Sequence, residues 1–176
     1  MTTFAAFSTT MPSPPPPPKT SLEILNPPRS STKRKPENNP TAAHLESLST
    51  LLIQLAAEQD FTHPVWSTHL HPKFTGEFSY ALETPDQIPF RDFAGFVAYH
   101  RAIREKYPDY YFEVVNVSAD VHERNGTASV YILLRVTGYP SRSIERASIL
   151  VLRWRHCEDS WRCYREGVIR GVQWHW

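Results

Sequence analysis

Cysteine is scarce in this chain of 176 residues, and its two cysteines, Cys157 and Cys163, flank a predicted turn at Glu158-Asp159-Ser160. A two- or three-residue loop there keeps the thiols from standing directly opposite one another, which disfavours a disulfide. Two cysteines alone cannot complete a zinc site either, so free thiols are expected. Glycine is missing from the first forty residues, and the aromatics there are only Phe4 and Phe7. No apolar run reaches the length of a membrane-spanning helix, which speaks against a membrane partner. The opening MTTFAAFSTTM lacks both the apolar core of a secretory signal and the arginines of an organelle-targeting peptide. A soluble, cytoplasmic protein is the expectation.

A strong charge of either sign is also lacking. Nineteen basic residues face eighteen acidic ones, for a formal charge of +1. Five of the basic and two of the acidic residues lie in the first forty, so the rest of the chain is slightly acidic. A body this close to neutral argues against nucleic acid as its main ligand.

What the first forty residues do have is proline, ten of the sixteen in the chain. Such a segment cannot bury enough apolar area to offset the entropy of ordering it. Residues 1–40 therefore read as a disordered, basic tail, with Pro14–Pro18 in polyproline II conformation. That run is either a spacer or a ligand for a partner's aromatic groove. Lys33-Arg34-Lys35-Pro36 is either a solvated basic cluster or a nuclear-import signal. The folded domain is expected over 41–176.

That domain reads as helices first and strands afterwards. Thr41 stands where an N-cap would stand, and Leu45, Leu48, Leu52, Leu55 and Gln59 follow at helical spacing. Pro64 opens a short helical turn through Trp66, and Pro72 is expected to stop it. Phe74–Tyr80 reads as a short strand. A second long helix is predicted from Asp92 to Tyr107, with Phe93, Phe96, Val97, His100, Ile103 and Tyr107 on its apolar face. After Pro108 the period changes to two, giving four long strands over 110–123, 127–139, 145–157 and 161–174. Asn125-Gly126 signals a tight hairpin between the first two. Hairpin-linked strands of this length must curl, and two amphipathic helices must cover them. The class is α+β: a cone-shaped, curled antiparallel sheet closed by N-terminal helices.

HPVWSTHLHPKF, residues 63–74, holds three histidines in twelve residues. His63, His69 and His71 could together bind a metal, but no carboxylate lies close in sequence and Pro64 and Pro72 suit a turn better. No metal is assigned.

The order of HLHPKF, then FVAYHRAIREKYPDYYFEV, then GTASVYILLRVTG, then ILVLRWRHCEDSWRCYREG resembles the nuclear transport factor 2-like superfamily. Within it the chain is similar to the SnoaL-like branch, typified by polyketide cyclases and related to scytalone dehydratase and ketosteroid isomerase. The resemblance spans residues 41–174 and rests on layout, since no single motif is specific. It implies a cone whose mouth holds a small apolar or aromatic ligand, and acid/base chemistry without a cofactor on a polyketide- or terpenoid-like intermediate. It also admits a non-catalytic ligand-binding module or a dimeric interaction module. The tyrosine, histidine and aspartate set of the dehydratase does not transfer to this chain residue by residue.

Two residues stand out as acid/base candidates. His100, in the middle of an apolar helical stripe, either hydrogen-bonds inside the core or points into a cavity. Glu166 shares a strand face with Tyr164 and Val168. A three-residue loop sets that face beside Leu150, Leu152, Trp154 and His156, and a two-residue loop shifts the register by one. Buried there, its carboxyl would be a candidate base; on the surface, it would pair with Arg153 or Arg162. Trp66, His71, Asn116, Tyr131, Trp154 and Tyr164 are candidate ligand-binding residues lining the pocket. The face carrying Ile149, Val151, Arg153 and Cys163 is expected to meet a second copy of the chain in a homodimer.

Overall fold

A computed structural model describes residues 39–78, 89–139 and 141–173 of the chain. The proline-rich tail, Ser79 and Tyr80 at the end of the expected first strand, and Trp174 and Trp176 lie outside the described residues.

Helix α1 runs Pro40–Glu58. Its cap is Asn39, not Thr41: the Asn39 Oδ1 accepts from the N–H groups of Thr41 at 2.9 Å and Ala42 at 3.2 Å. Pro40 occupies the first helical turn, where a missing N–H costs nothing. At the other end Gln59 turns left-handed, and the N–H groups of Gln59 and Asp60 close onto the carbonyls of Ala56 and Leu55. Leu45, Leu52 and Leu55 are buried as their spacing predicts. Helix α2, Val65–His69, ends at Leu70, where the backbone becomes extended. Pro72 therefore does not stop the helix. It lies inside strand β1, Leu70–Phe78, which is an edge strand that tolerates proline. Helix α3 spans Phe93–Lys106, with Asp92 accepting from the Gly95 N–H at 2.8 Å.

The remaining strands are β2 (Tyr111–His122), β3 (Thr127–Thr137), β4 (Glu145–Cys157) and β5 (Ser160–Gln173). They form an antiparallel meander, and β1 joins its far side parallel to β5, giving the order β1-β5-β4-β3-β2. The α+β architecture expected from the helical stripes and long strands is the one observed. Between β2 and β3 the turn is longer than a two-residue Asn-Gly hairpin. A 3₁₀ turn over Glu123–Asn125 and a left-handed Gly126 separate the pair His122 and Thr127.

The inward faces of β3 and β4 carry Val130, Ile132, Leu134, Val136, Leu150, Leu152 and Trp154, all buried. Helix α1 lies against β2 and β3. Helix α3 contributes Phe96, which meets Phe74 and Phe90 edge-on at 5.7 and 5.2 Å. Full burial of side chains of this size contributes roughly 1.5–3 kcal/mol each. Phe90 fits only because residue 76 is glycine; a Cβ there would lie 2.1 Å from the ring.

Two bulges decide which residues face this core. On β2, Val114 pairs with Leu134 but Asn116 with Leu133, so Val115 is extra and the alternation reverses after it. On β5, Cys163 pairs with Trp154 but Arg165 with Arg153, so Tyr164 is extra. Cys163, set opposite Trp154 by the two-residue turn between Cys157 and Ser160, is fully buried, and its expected place on the outer face with Ile149 and Arg153 is corrected. Both cysteines are free thiols.

Candidate active site

A cavity of about 70 Å³ lies between α1, α3 and the inner sheet face. Phe96 and Ile103 of α3, Phe112 of β2, Leu134 and Val136 of β3 and Leu150 of β4 supply its apolar wall. The polar groups on it are Tyr99, His100, Tyr110, Tyr139, Arg146, Ser148 and Glu166.

His100 reaches the cavity because it lies on the stripe of α3 that also buries Phe96 and Ile103. Its ring is packed by Phe96 at 4.3 Å, Tyr99 at 5.4 Å, and Phe61 and Phe112 at 6.0 Å. Neither ring nitrogen has a hydrogen-bond partner among the described residues. Of the two readings open from sequence, the packing is that of a core residue and the free nitrogens are those of a cavity residue. Burial, helped by the positive charge of Arg104, lowers its pKa from 6.5 to about 4. Arg104 itself donates to the Ala57 carbonyl at 2.7 Å, tying α3 to α1.

Glu166 enters from the sheet. It pairs with Leu152 and is 8% exposed. Its carboxyl has no hydrogen-bond partner among the described residues, the Arg153 and Arg162 side chains included. Burial alone raises its pKa from 4.5 to about 8. At neutral pH the cavity thus holds a carboxylic acid that keeps its proton and a neutral imidazole with one ring nitrogen unprotonated.

The phenol of Tyr110 is pushed up by burial, an effect that Arg146 opposes and Glu166 reinforces. Tyr110 packs edge-on to Tyr139 at 5.7 Å, and Tyr139 meets Tyr107 at 4.8 Å. The Arg146 guanidinium lies 4.8 Å over the Tyr139 ring. Gly138, left-handed at φ 73, makes the turn into Tyr139; a Cβ there would collide with the Asp109 carbonyl at 2.1 Å. The thiol of Cys163 is pushed well up by burial and by Glu166 beside it, which leaves it protonated and inert.

None of the six residues expected to line a ligand pocket lines this cavity, although Trp66 borders a smaller one beside Phe96 and Glu166. Trp66 is core, donating to the Asp60 carbonyl at 2.8 Å and packing on Phe93 at 5.3 Å. Trp154 is fully buried in the core. Asn116 faces outward because of the Val115 bulge, and Tyr131 is on the same outer face. Tyr164, the bulged residue, lies under Arg155 at 5.1 Å from guanidinium to ring. His71 is on edge strand β1, where its Nδ1 accepts from the Lys73 N–H. His63 accepts in the same local way from Val65, and His69 lies 3.2 Å from the Trp161 carbonyl. Among the described residues no group of three or more His, Cys, Asp and Glu could hold a metal.

Tyr99, Tyr110, Tyr139, Arg146 and Ser148 escaped the sequence reading. For two of them a signal was present: Arg146, Ser148, Leu150, Leu152 and Trp154 alternate along one face of β4. A polar residue at core parity in an otherwise apolar row marks a cavity wall or a paired group.

No protein-family model matches the chain, and no curated protein matches it. Solved structures do. A protein of Kribbella flavida aligns with a TM-score of 0.57 at 13% identity, over 74% of this chain and 90% of that one. An uncharacterized cystatin-like protein of Caulobacter vibrioides gives 0.56 at 14% identity, over 73% and 87%. A protein of unknown function from Pseudomonas putida, described as nuclear transport factor 2-like, gives 0.55 at 13% identity, over 73% and 85%. At these identities the likeness is one of fold: the chain has the nuclear transport factor 2-like fold, also called cystatin-like.

Proposed function

We propose that this nuclear transport factor 2-like domain binds a slim, largely apolar molecule in its cavity and moves a proton on it without a cofactor. His100 acts as the base and Glu166 as the acid. The observation that carries the reading is that these two groups, neither hydrogen-bonded among the described residues, line one cavity. Their pKa shifts, down to about 4 and up to about 8, leave each in the protonation state its role requires at neutral pH.

In an isomerisation the neutral imidazole takes a proton from carbon next to a carbonyl and returns it to another carbon. The Glu166 acid hydrogen-bonds the carbonyl oxygen as negative charge develops on it. In a dehydration the imidazole takes the C–H proton while the Glu166 proton goes to the departing hydroxyl, which leaves as water. Proton transfer from imidazolium to carboxylate then resets the pair. Each positioned group contributes about 10²- to 10⁴-fold. The SnoaL-like cyclases, isomerases and dehydratases of the resemblance belong to this reaction class. A polycyclic polyketide or terpenoid intermediate needs more room than about 70 Å³, since small-molecule pockets usually span roughly 300–1,000 Å³. The ligand proposed is accordingly narrower.

The test is exchange of carbon-bound hydrogen in D₂O, using linear ketones and β-hydroxy ketones of four to ten carbons with the full chain. Wild type is expected to catalyse deuterium uptake or water loss, and His100→Ala and Glu166→Gln each to lose about 10²-fold or more. Absence of exchange across the series would remove the catalytic reading.

A second reading concerns the outside of the sheet. Tyr111, Val115, Tyr131, Leu133 and Ile149, the exposed large hydrophobic residues of the described chain, all project from the outer face of β2, β3 and β4. Apolar patches of this kind are commonly covered in oligomers. Homodimerisation through this face is the interaction proposed, compatible with either a catalytic or a purely binding cavity.

A further inference from the structure

Three serines are buried among the described residues, and they differ in what their hydroxyls meet. Ser129 accepts from the Arg153 guanidinium at 2.7 Å. Ser49, on α1, is sealed in without a partner and lies outside the cavity. Ser148 is 3% exposed, has no hydrogen-bond partner for its hydroxyl among the described residues, and opens on the cavity. A buried hydroxyl left unpaired is unfavourable, and alanine at this position would have kept the apolar row of Leu150, Leu152 and Trp154 unbroken. Arg146, its neighbour on that face, is already engaged with the Tyr139 ring and in a further interaction. Recognition at this end of the cavity is therefore assigned to Ser148 alone.

We infer that Ser148 is a specificity-determining residue, whose hydroxyl holds a second, uncharged oxygen of the ligand, remote from the reacting carbon. This deepens the reading of the cavity as a proton-transfer site and rests on it. The ligand class is a slim chain with one oxygen function at Glu166 and another at Ser148. A serine hydroxyl both donates and accepts, so the second function is an alcohol or a carbonyl. A carboxylate is disfavoured, because one neutral hydroxyl does not compensate the cost of burying a charge.

Register supports this division. Ser148 is four residues from Leu152, the partner of Glu166, so the two ends are about 13 Å apart along the strand at roughly 3.3 Å per residue. Between them, on the same inner face, lie Leu150 and its partner Val168, both on the cavity wall. Polar, apolar and polar positions thus follow one another along the cavity. A site with a buried hydroxyl rejects an analogue that lacks the matching group, because the hydroxyl is then left unpaired.

The test is calorimetric titration of the full chain at pH 7 with two series of six to ten carbons. One is the linear methyl ketones, and the other is the diketones that carry a second carbonyl at the opposite penultimate carbon. At the best length the diketone is expected to bind about three- to tenfold more tightly than the ketone, the worth of one added hydrogen bond. Ser148→Ala is expected to keep the melting temperature, because no bond of the fold is lost. It is also expected to remove the preference by weakening the diketone and leaving the ketone unchanged. Equal binding of the two series by wild type would overturn the role of Ser148 while leaving the ligand cavity standing. So would an undiminished preference in Ser148→Ala, or a loss of many degrees in its melting temperature, which would make the hydroxyl a part of the fold. Failure of both series to bind would overturn the cavity reading along with it.

Discussion

Glu166 lies across from Leu152 rather than Val151, because Tyr164 is an extra residue between the pairs Cys163–Trp154 and Arg165–Arg153. The turn itself has two residues, since Cys157 pairs with Ser160. Continued without interruption, that register would have put Glu166 opposite Val151, on the outer face with Arg153 and Ile149. The bulge restores the register that a three-residue turn would have set and carries a carboxyl group into an apolar core. Burying an ionisable group without a partner is costly, and the shift in its pKa measures that cost.

The first prediction follows from the Glu166 proton. Above about pH 4.5 the unfolded chain releases it, whereas the folded chain keeps it to about pH 8. Stability contributed by this group therefore falls as pH rises through that window, by on the order of 4 kcal/mol in all. Glu166→Gln should flatten this limb and melt higher than wild type at pH 8. Equal melting temperatures at pH 8, with wild type no less stable there than at pH 5, would contradict it.

His100 shifts the other way, so its effect has the opposite sign. Below about pH 6.5 the unfolded chain takes up a proton that the folded chain refuses until about pH 4, and stability falls as pH falls across that interval. His100→Ala should reduce this acid limb. At pH 7 it should cost about 1 kcal/mol, because lost ring packing is partly offset by release from a desolvated group without hydrogen-bond partners. Urea melts showing a loss above about 3 kcal/mol at unchanged m-value would mark His100 as an ordinary core residue.

Much of the fold was legible because long periodic segments dominate it. Strands β3 and β4 begin at the predicted residues Thr127 and Glu145, and His100 falls on the buried stripe of α3 as its spacing with Phe96 and Ile103 requires. What escaped were single-residue events that leave the period intact on either side. The Val115 bulge moved Asn116 outward, and the Tyr164 bulge moved Glu166 inward relative to a simple two-residue hairpin, whose register by itself turns Cys163 inward. Neither bulge carries a glycine to announce it. Tyr131 and Tyr164 were aromatic and near the right strands, but parity, not residue type, decides which face a strand residue occupies. The parallel pairing of β1 with β5 was beyond reach for a different reason. It joins residues far apart in sequence, and no local turn specifies it.

The start of the folded domain can be tested at Asn39. A chain beginning at Asn39 is expected to melt within a degree or two of the full chain, because the proline-rich composition of the preceding residues does not support packing. Asn39→Ala should cost about 1 kcal/mol by removing the acceptor for the Thr41 and Ala42 N–H groups. A loss of many degrees on truncation would show that the tail packs on the domain.

For the outer sheet face, sedimentation at micromolar concentration should give a dimer, and Leu133→Glu should give a monomer that retains its melting cooperativity. Leu133 neighbours Ile149 across the β3–β4 ladder, so a carboxylate there would be desolvated in any sheet-to-sheet contact. A wild-type chain that sediments only as a monomer would sink this interface.

The most direct test of the central claim is to titrate the pair itself. Carbon-13 labelling of the glutamate carboxyls and nitrogen-15 labelling of the histidine rings, assigned with Glu166→Gln and His100→Ala, would follow both groups by NMR from pH 3.5 to pH 9. The account predicts that the Glu166 carboxyl titrates near 8 and the His100 ring near 4, so that between those values the cavity holds the acid protonated and the base free. A Glu166 that titrates near 4.5 with a His100 near 6.5 would contradict it.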